Sequence, residues 1–91
     1  MNKIEMFKGL ADTMVDTYER KNKDYGDSFG VSVEKYGLIS ALTRISDKFN
    51  RLESLILKGD QQVNDESLKD TLLDLANYSL MTIIELMEEE E

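Results

Sequence analysis

Two stretches of the chain gather polar side chains of opposite chemistry. In RISDKFNR, Arg44, Asp47, Lys48 and Arg51 follow one another at spacings of 3, 1 and 3. In ESLKDTLLDLANY, Glu66, Asp70, Asp74 and Asn77 follow at spacings of 4, 4 and 3. At about 100° per residue, each set falls within an arc of roughly 100° or less on an α-helix. Arginine forks hold phosphate oxygens in pairs, and lysine adds a point charge. Carboxylates one turn apart converge their oxygens and can share a divalent cation. Facing each other, the stripes would make a site for a phosphate, a divalent metal, or both. The plainer alternative is that Arg44 and Lys48 pair with acids of the other helix or of a partner subunit, with Glu66 an ordinary acid of a first turn.

A third candidate is the segment KNKDYGDSFG, which sets Lys21, Lys23, Asp24, Tyr25, Ser28 and Phe29 beside glycines. An aromatic ring with neighbouring hydrogen-bonding groups suits a nucleobase or ribose. The alternative is an ordinary turn that anchors Tyr25 and Phe29 in the core. The glycine spacing matches neither a Walker nor a Rossmann loop. Asn77 and Tyr78 inside a helix are not what propensity selects, and the amide there points to a hydrogen-bonded partner or ligand. Asp12, Asp16 and Glu19 read as a solvated helix face.

Composition narrows the chemistry. The 91 residues include no Cys and no His, which excludes disulfides, thiolate chemistry and an imidazole-based zinc site. Any metal would therefore be held by oxygen, which favours magnesium, manganese or calcium. The net charge of -8 argues against general binding of duplex nucleic acid. No apolar run approaches the roughly 20 residues that cross a bilayer, and the N-terminal stretch lacks the apolar core of a secretion signal. A cytoplasmic protein is expected. The acids Glu85 and Glu88 to Glu91 oppose the helix macrodipole, so the last turn is expected to fray.

The elements that must position these residues are helical. Pro is absent, and strand-like alternation is scarce. A single all-α domain over residues 1–91 is expected, with a first helix over about 2–21, a loop over 22–36 that has room for a helical turn near Val31 to Tyr36, a second helix over about 37–58 and a third over about 64–88. Phe7, Leu10, Ala11, Met14, Val15 and Tyr18 form the apolar face of the first. Leu38, Leu42, Ile45, Phe49, Leu52 and Ile56 form a heptad-like seam on the second. Leu68, Leu72, Leu75, Ser79, Ile83 and Leu86 form that of the third, broadened by Leu73, Leu80 and Ile84. Gly59 and Asn64 would cap the connection. The second and third helices should form an antiparallel hairpin with the first packed across it. Their apolar surface exceeds what the first can cover, so a homodimer or higher even oligomer with a four-helix core is expected.

Three blocks in order, KNKDYGDSF, RISDKFNRL and DESLKDTLLDLANYSLM, resemble the phage and bacterial family called nucleotide modification associated domain, type one. The resemblance covers roughly Tyr18 to Met81. It extends to the all-α, MazG-like nucleoside triphosphate pyrophosphatases, whose EExxE and ExxD motifs on successive helices bind magnesium. It implies a nucleotide ligand and a phage setting. Where that family has its first acidic motif, this chain has RISDKFNR, with Asp47 as its one acid among cations. The second motif survives in altered form as Glu66, Asp70 and Asp74.

The reading favoured by that substitution is a nucleotide-binding protein without turnover, sequestering a nucleotide-derived defence signal or assisting nucleotide modification in the host cytoplasm. Its ligand-binding residues would be Lys21, Asp24, Tyr25, Ser28, Arg44, Asp47, Lys48, Arg51, Asp70, Asp74, Asn77 and Tyr78, with no cofactor. The alternative is a magnesium-dependent nucleotide pyrophosphohydrolase in which Asp47, Glu66, Asp70 and Asp74 hold Mg2+. A second alternative is a helical interaction module whose stripes are only intersubunit ion pairs. A nucleotide-type small molecule and a second copy of the chain are the expected partners, with no duplex nucleic acid and no membrane.

Overall fold

A computed structural model describes residues 1–58 and 65–90, and side chains from 67 onward in the second segment. All regular structure among the described residues is helical: α1 (Lys3–Tyr25), α2 (Ser28–Tyr36), α3 (Leu38–Leu57) and α4 (Asp65–Glu89). The Gly59 and Asn64 caps lie outside the described residues. No helix among the described residues is long and apolar enough to cross a membrane.

The expected loop over 22–36 is corrected to helix almost throughout. Residues 22–25 continue α1, because polar residues with an interrupted apolar period still carry helix when a cap follows. That cap is Gly26, left-handed at φ 56°, whose N–H donates to the Asn22 carbonyl at 2.8 Å. Asp27 follows, also left-handed at φ 42°, and the chain turns directly into the nine residues of α2. Gly30 does not break the period. It is buried within α2, where an added Cβ would sit 2.5 Å from Asp27 Oδ2 and 2.7 Å from Glu85 Oε1. Gly37, at φ 80°, closes α2 by donating to the Val33 carbonyl, and its own carbonyl accepts from the Ser40 N–H to open α3.

α3 and α4 pack as the expected antiparallel hairpin. Lys48 meets Asp74 and Arg51 meets Thr71, so three residues forward on α3 match three back on α4. α2 lies against both, and α1 rests on α4. Among the described residues, Phe29, Val33 and Ala41 are the buried apolar side chains, with Tyr78 and Met81 packed against them.

The seams differ from their expected positions. On α3 the inward residues are Ala41, Ile45, Lys48, Leu52 and Leu55, whereas Leu38, Leu42, Phe49 and Ile56 face outward. On α4, Thr71 is buried and the expected Leu68 and Leu75 are half-buried together with Asp74, Tyr78 and Met81, whereas Leu72, Leu80, Ile83 and Leu86 are exposed. On α1, Ala11, Met14 and Tyr18 are half-buried, but Phe7, Leu10 and Val15 are exposed. Hydrophobic periodicity marks apolar stripes without saying which neighbour covers each, and one chain has too few helices to cover all of them. At the acidic end, α4 runs through Glu89.

Candidate functional site

The α1–α2 corner brings KNKDYGDSF over the middle of α4, and a cleft of about 370 Å³ opens there. That is within the size range of small-molecule sites. α1 supplies Thr17, Tyr18, Lys21, Asn22 and Tyr25, the corner supplies Asp27, and α2 supplies Ser28 and Phe29. Arg44 enters from α3, and α4 contributes Asp74, Asn77, Tyr78 and Met81. A second cleft continues along α1 and α4, where Asp70 and Met14 join Thr17, Lys21, Asp74 and Asn77.

The aromatic groups divide by burial. Phe29 is 8 % exposed and stacks obliquely on Tyr78, ring centres 5.8 Å apart. It is an anchored wall residue. Tyr25 is 71 % exposed and is not part of the core. An exposed ring at a cleft rim can close over a flat ligand at small conformational cost.

Charge is distributed unevenly along the cleft. Lys48 Nζ donates to Asp74 Oδ2 at 2.9 Å, forming a half-buried ion pair at one end. One turn further along α3, Arg51 Nε donates to Thr71 Oγ1 at 3.3 Å. The same hydroxyl donates to the Ser67 carbonyl, which satisfies a buried polar group. Lys21 and Arg44 line the cleft and form no ion pair among the described residues. Acids gather at the other end, beyond Met81. Burial first, and then Glu88, Asp27, Glu34 and Glu89, push the Glu85 carboxyl above its ordinary value. Burial and the carboxylates of Asp27, Glu85 and Glu88 likewise raise the Tyr18 phenol.

Eight of the residues singled out from the sequence line the cleft: Lys21, Tyr25, Ser28, Phe29, Arg44, Asp74, Asn77 and Tyr78. Lys48 and Arg51 sit behind it, engaged by Asp74 and Thr71, and Asp70 lines the adjoining cleft. Asp24 and Asp47 are exposed and line neither. Among the described residues, no three acids come together as metal ligands. The Glu66 side chain lies outside those described.

Thr17, Tyr18, Asn22, Asp27 and Met81 were not anticipated. A signal for two of them existed: with α1 extended to Tyr25, Tyr18 and Asn22 fall at spacings of 4 and 3 on one face with the anticipated Tyr25. Asp27 carried none, because its place depends on a left-handed corner.

The family described as nucleotide modification associated domain 1 matches residues 21–86, the segment that builds most of this cleft. No curated protein and no solved structure matches the chain.

Proposed function

The chain belongs to the nucleotide modification associated domain 1 family, and on that footing we propose that it binds a nucleotide in the cleft between α1 and α4 and holds it without turnover. The observation that carries this reading is one cleft with two chemistries. It offers the exposed Tyr25 ring and the Phe29–Tyr78 wall to a base, and Lys21 and Arg44, which form no ion pair among the described residues, to a phosphate. Asn77 and Ser28 add hydrogen-bonding groups for ribose or base edges. Lys48 is held by Asp74 at 2.9 Å and is not among the cations offered to the ligand. Sequestration of a nucleotide-derived signal in a phage-infected cytoplasm is the setting that this reading favours.

Self-association belongs to the same proposal. α3 (Leu38, Leu42, Phe49, Ile56) and α4 (Leu72, Leu80, Ile83) each leave apolar side chains exposed. Two hairpins joined by these side chains make the four-helix core that a single chain lacks. Such a bundle is of the MazG-like kind, with cations where the pyrophosphatases place metal-binding acids. The hydrolase alternative needs Asp70 and Asp74 as magnesium ligands, and Asp74 is committed to Lys48.

The test is purification of the full chain, denaturation, and chromatography of what is released, alongside incubation with a nucleotide panel and magnesium. Recovery of an intact nucleotide and an unchanged panel is expected. Pyrophosphate release that disappears in Asp70→Asn would overturn the reading in favour of the hydrolase.

A further inference from the structure

We propose that the cleft selects a nucleoside 5′-monophosphate over the corresponding triphosphate, an inference that rests on the nucleotide reading and deepens it. The charges about the cleft carry it. Lys21 and Arg44 are the two lining cations without an ion-pair partner among the described residues. The Lys48–Asp74 pair is neutral as it stands at 2.9 Å, and Arg51 is turned to Thr71 at 3.3 Å. Two cations match one phosphate group, which carries about -1.5 to -2 at pH 7. A longer phosphate chain brings further negative charge without further cations.

The ends of the cleft oppose that chain in both directions. From Asp74 to Met81 it spans seven residues of α4, about 10 Å at 1.5 Å per residue, comparable to one nucleotide lying lengthwise. Beyond Asp74, the adjoining cleft opens onto the Asp70 carboxylate. Toward the other end stand Asp27, which lines the cleft, and Glu85, whose carboxylate shares with it the space over Gly30. Additional phosphates extending either way from Lys21 and Arg44 would meet carboxylates rather than donors. Magnesium carried by the ligand could neutralise those phosphates, so the preference is to be read both without and with the metal.

The experiment is isothermal titration of the full chain with the common nucleosides, their 5′-monophosphates and their 5′-triphosphates. It is run in EDTA and again in magnesium, with the triphosphates supplied as α,β-methylene analogues. The monophosphate of the preferred base is expected to bind at least about tenfold tighter than its triphosphate analogue in both. Arg44→Gln, a change at an exposed position, is expected to weaken the monophosphate about tenfold and leave the nucleoside unchanged. A triphosphate analogue that binds as tightly as the monophosphate or tighter, in either condition, overturns the inference while leaving the nucleotide reading intact. An Arg44→Gln protein with wild-type monophosphate affinity also overturns it. Binding of none of the panel overturns the nucleotide reading itself.

Discussion

Truncating Phe29 probes the joint between the small core and the cleft wall. Its ring is 8 % exposed, packs with Val33 and Ala41, and stacks on Tyr78 at 5.8 Å. Removing a buried phenylalanine side chain costs about 3–5 kcal/mol, cavity included. The site borders an open cleft into which water and neighbours can relax, which places Phe29→Ala near the lower end, at about 3 kcal/mol. A chain of this size has a total stability of roughly 5–13 kcal/mol. At about 4–8 °C per kcal/mol, the alanine variant should melt roughly 12–24 °C below the parent. Phe29→Leu keeps most of the volume and loses mainly the aromatic contact, about 1 kcal/mol, so its loss should be roughly 4–8 °C. The assay is thermal unfolding followed by circular dichroism at one fixed protein concentration, because any self-association makes the midpoint concentration-dependent. An alanine variant within about 4 °C of the parent would refute the assignment of Phe29 to the core.

Four further outcomes are expected. Gly26→Ala places a Cβ in open space but in a left-handed backbone at φ 56°, so it should cost about 1–2 kcal/mol in urea unfolding, and a neutral result would contradict that corner. Glu85 has a raised folded-state pKa, so its contribution to stability falls as pH rises from the ordinary carboxylate value through the folded one; Glu85→Gln should melt higher than the parent at neutral pH, with the gain vanishing below about pH 4. Leu42→Glu with Phe49→Glu, both on the outward stripe of α3, should shift sedimentation toward the monomer, whereas a parent that is already monomeric at micromolar concentration would defeat the proposed assembly. Tyr25→Ala, at a 71 % exposed position, should leave the melting temperature within a few degrees while weakening nucleotide binding about five- to tenfold, a stacking loss of about 1–1.4 kcal/mol.

Much of the cleft was legible because its residues break local rules. Asn77 and Tyr78 sit in a helix for reasons other than propensity, and the Arg44–Lys48 stripe interrupts an apolar face. Both lead to the lining or to the ion pair behind it. Asp47 and Asp24 were less readable, because a residue at the right spacing on a helix can still point past the neighbour by a fraction of a turn. Arg51 shows the same limit. Its place in the stripe suggested a phosphate, and spacing alone did not show that its Nε donates to the buried Thr71 hydroxyl.

Periodicity, the lack of Pro and the order of charged stripes were enough to establish an all-helical chain and the α3–α4 hairpin, since helix formation and short antiparallel connection are local events. They also placed cations and acids on facing helices. Only the tertiary structure decided that Gly26, Asp27 and Gly37 turn a supposed loop into α2, because left-handed corners have no hydrophobic period to reveal them. It decided which face of each amphipathic helix is inward, and so split the apolar seams of α3 and α4, leaving Leu38, Leu42, Phe49, Ile56, Leu72, Ile83 and Leu86 outside. It also decided that Lys48 answers Asp74 while Lys21 and Arg44 line the cleft with no ion pair among the described residues. Spacing along a helix orders its charges, whereas the pairing that cancels some and leaves others for a ligand depends on how the helices rotate against one another.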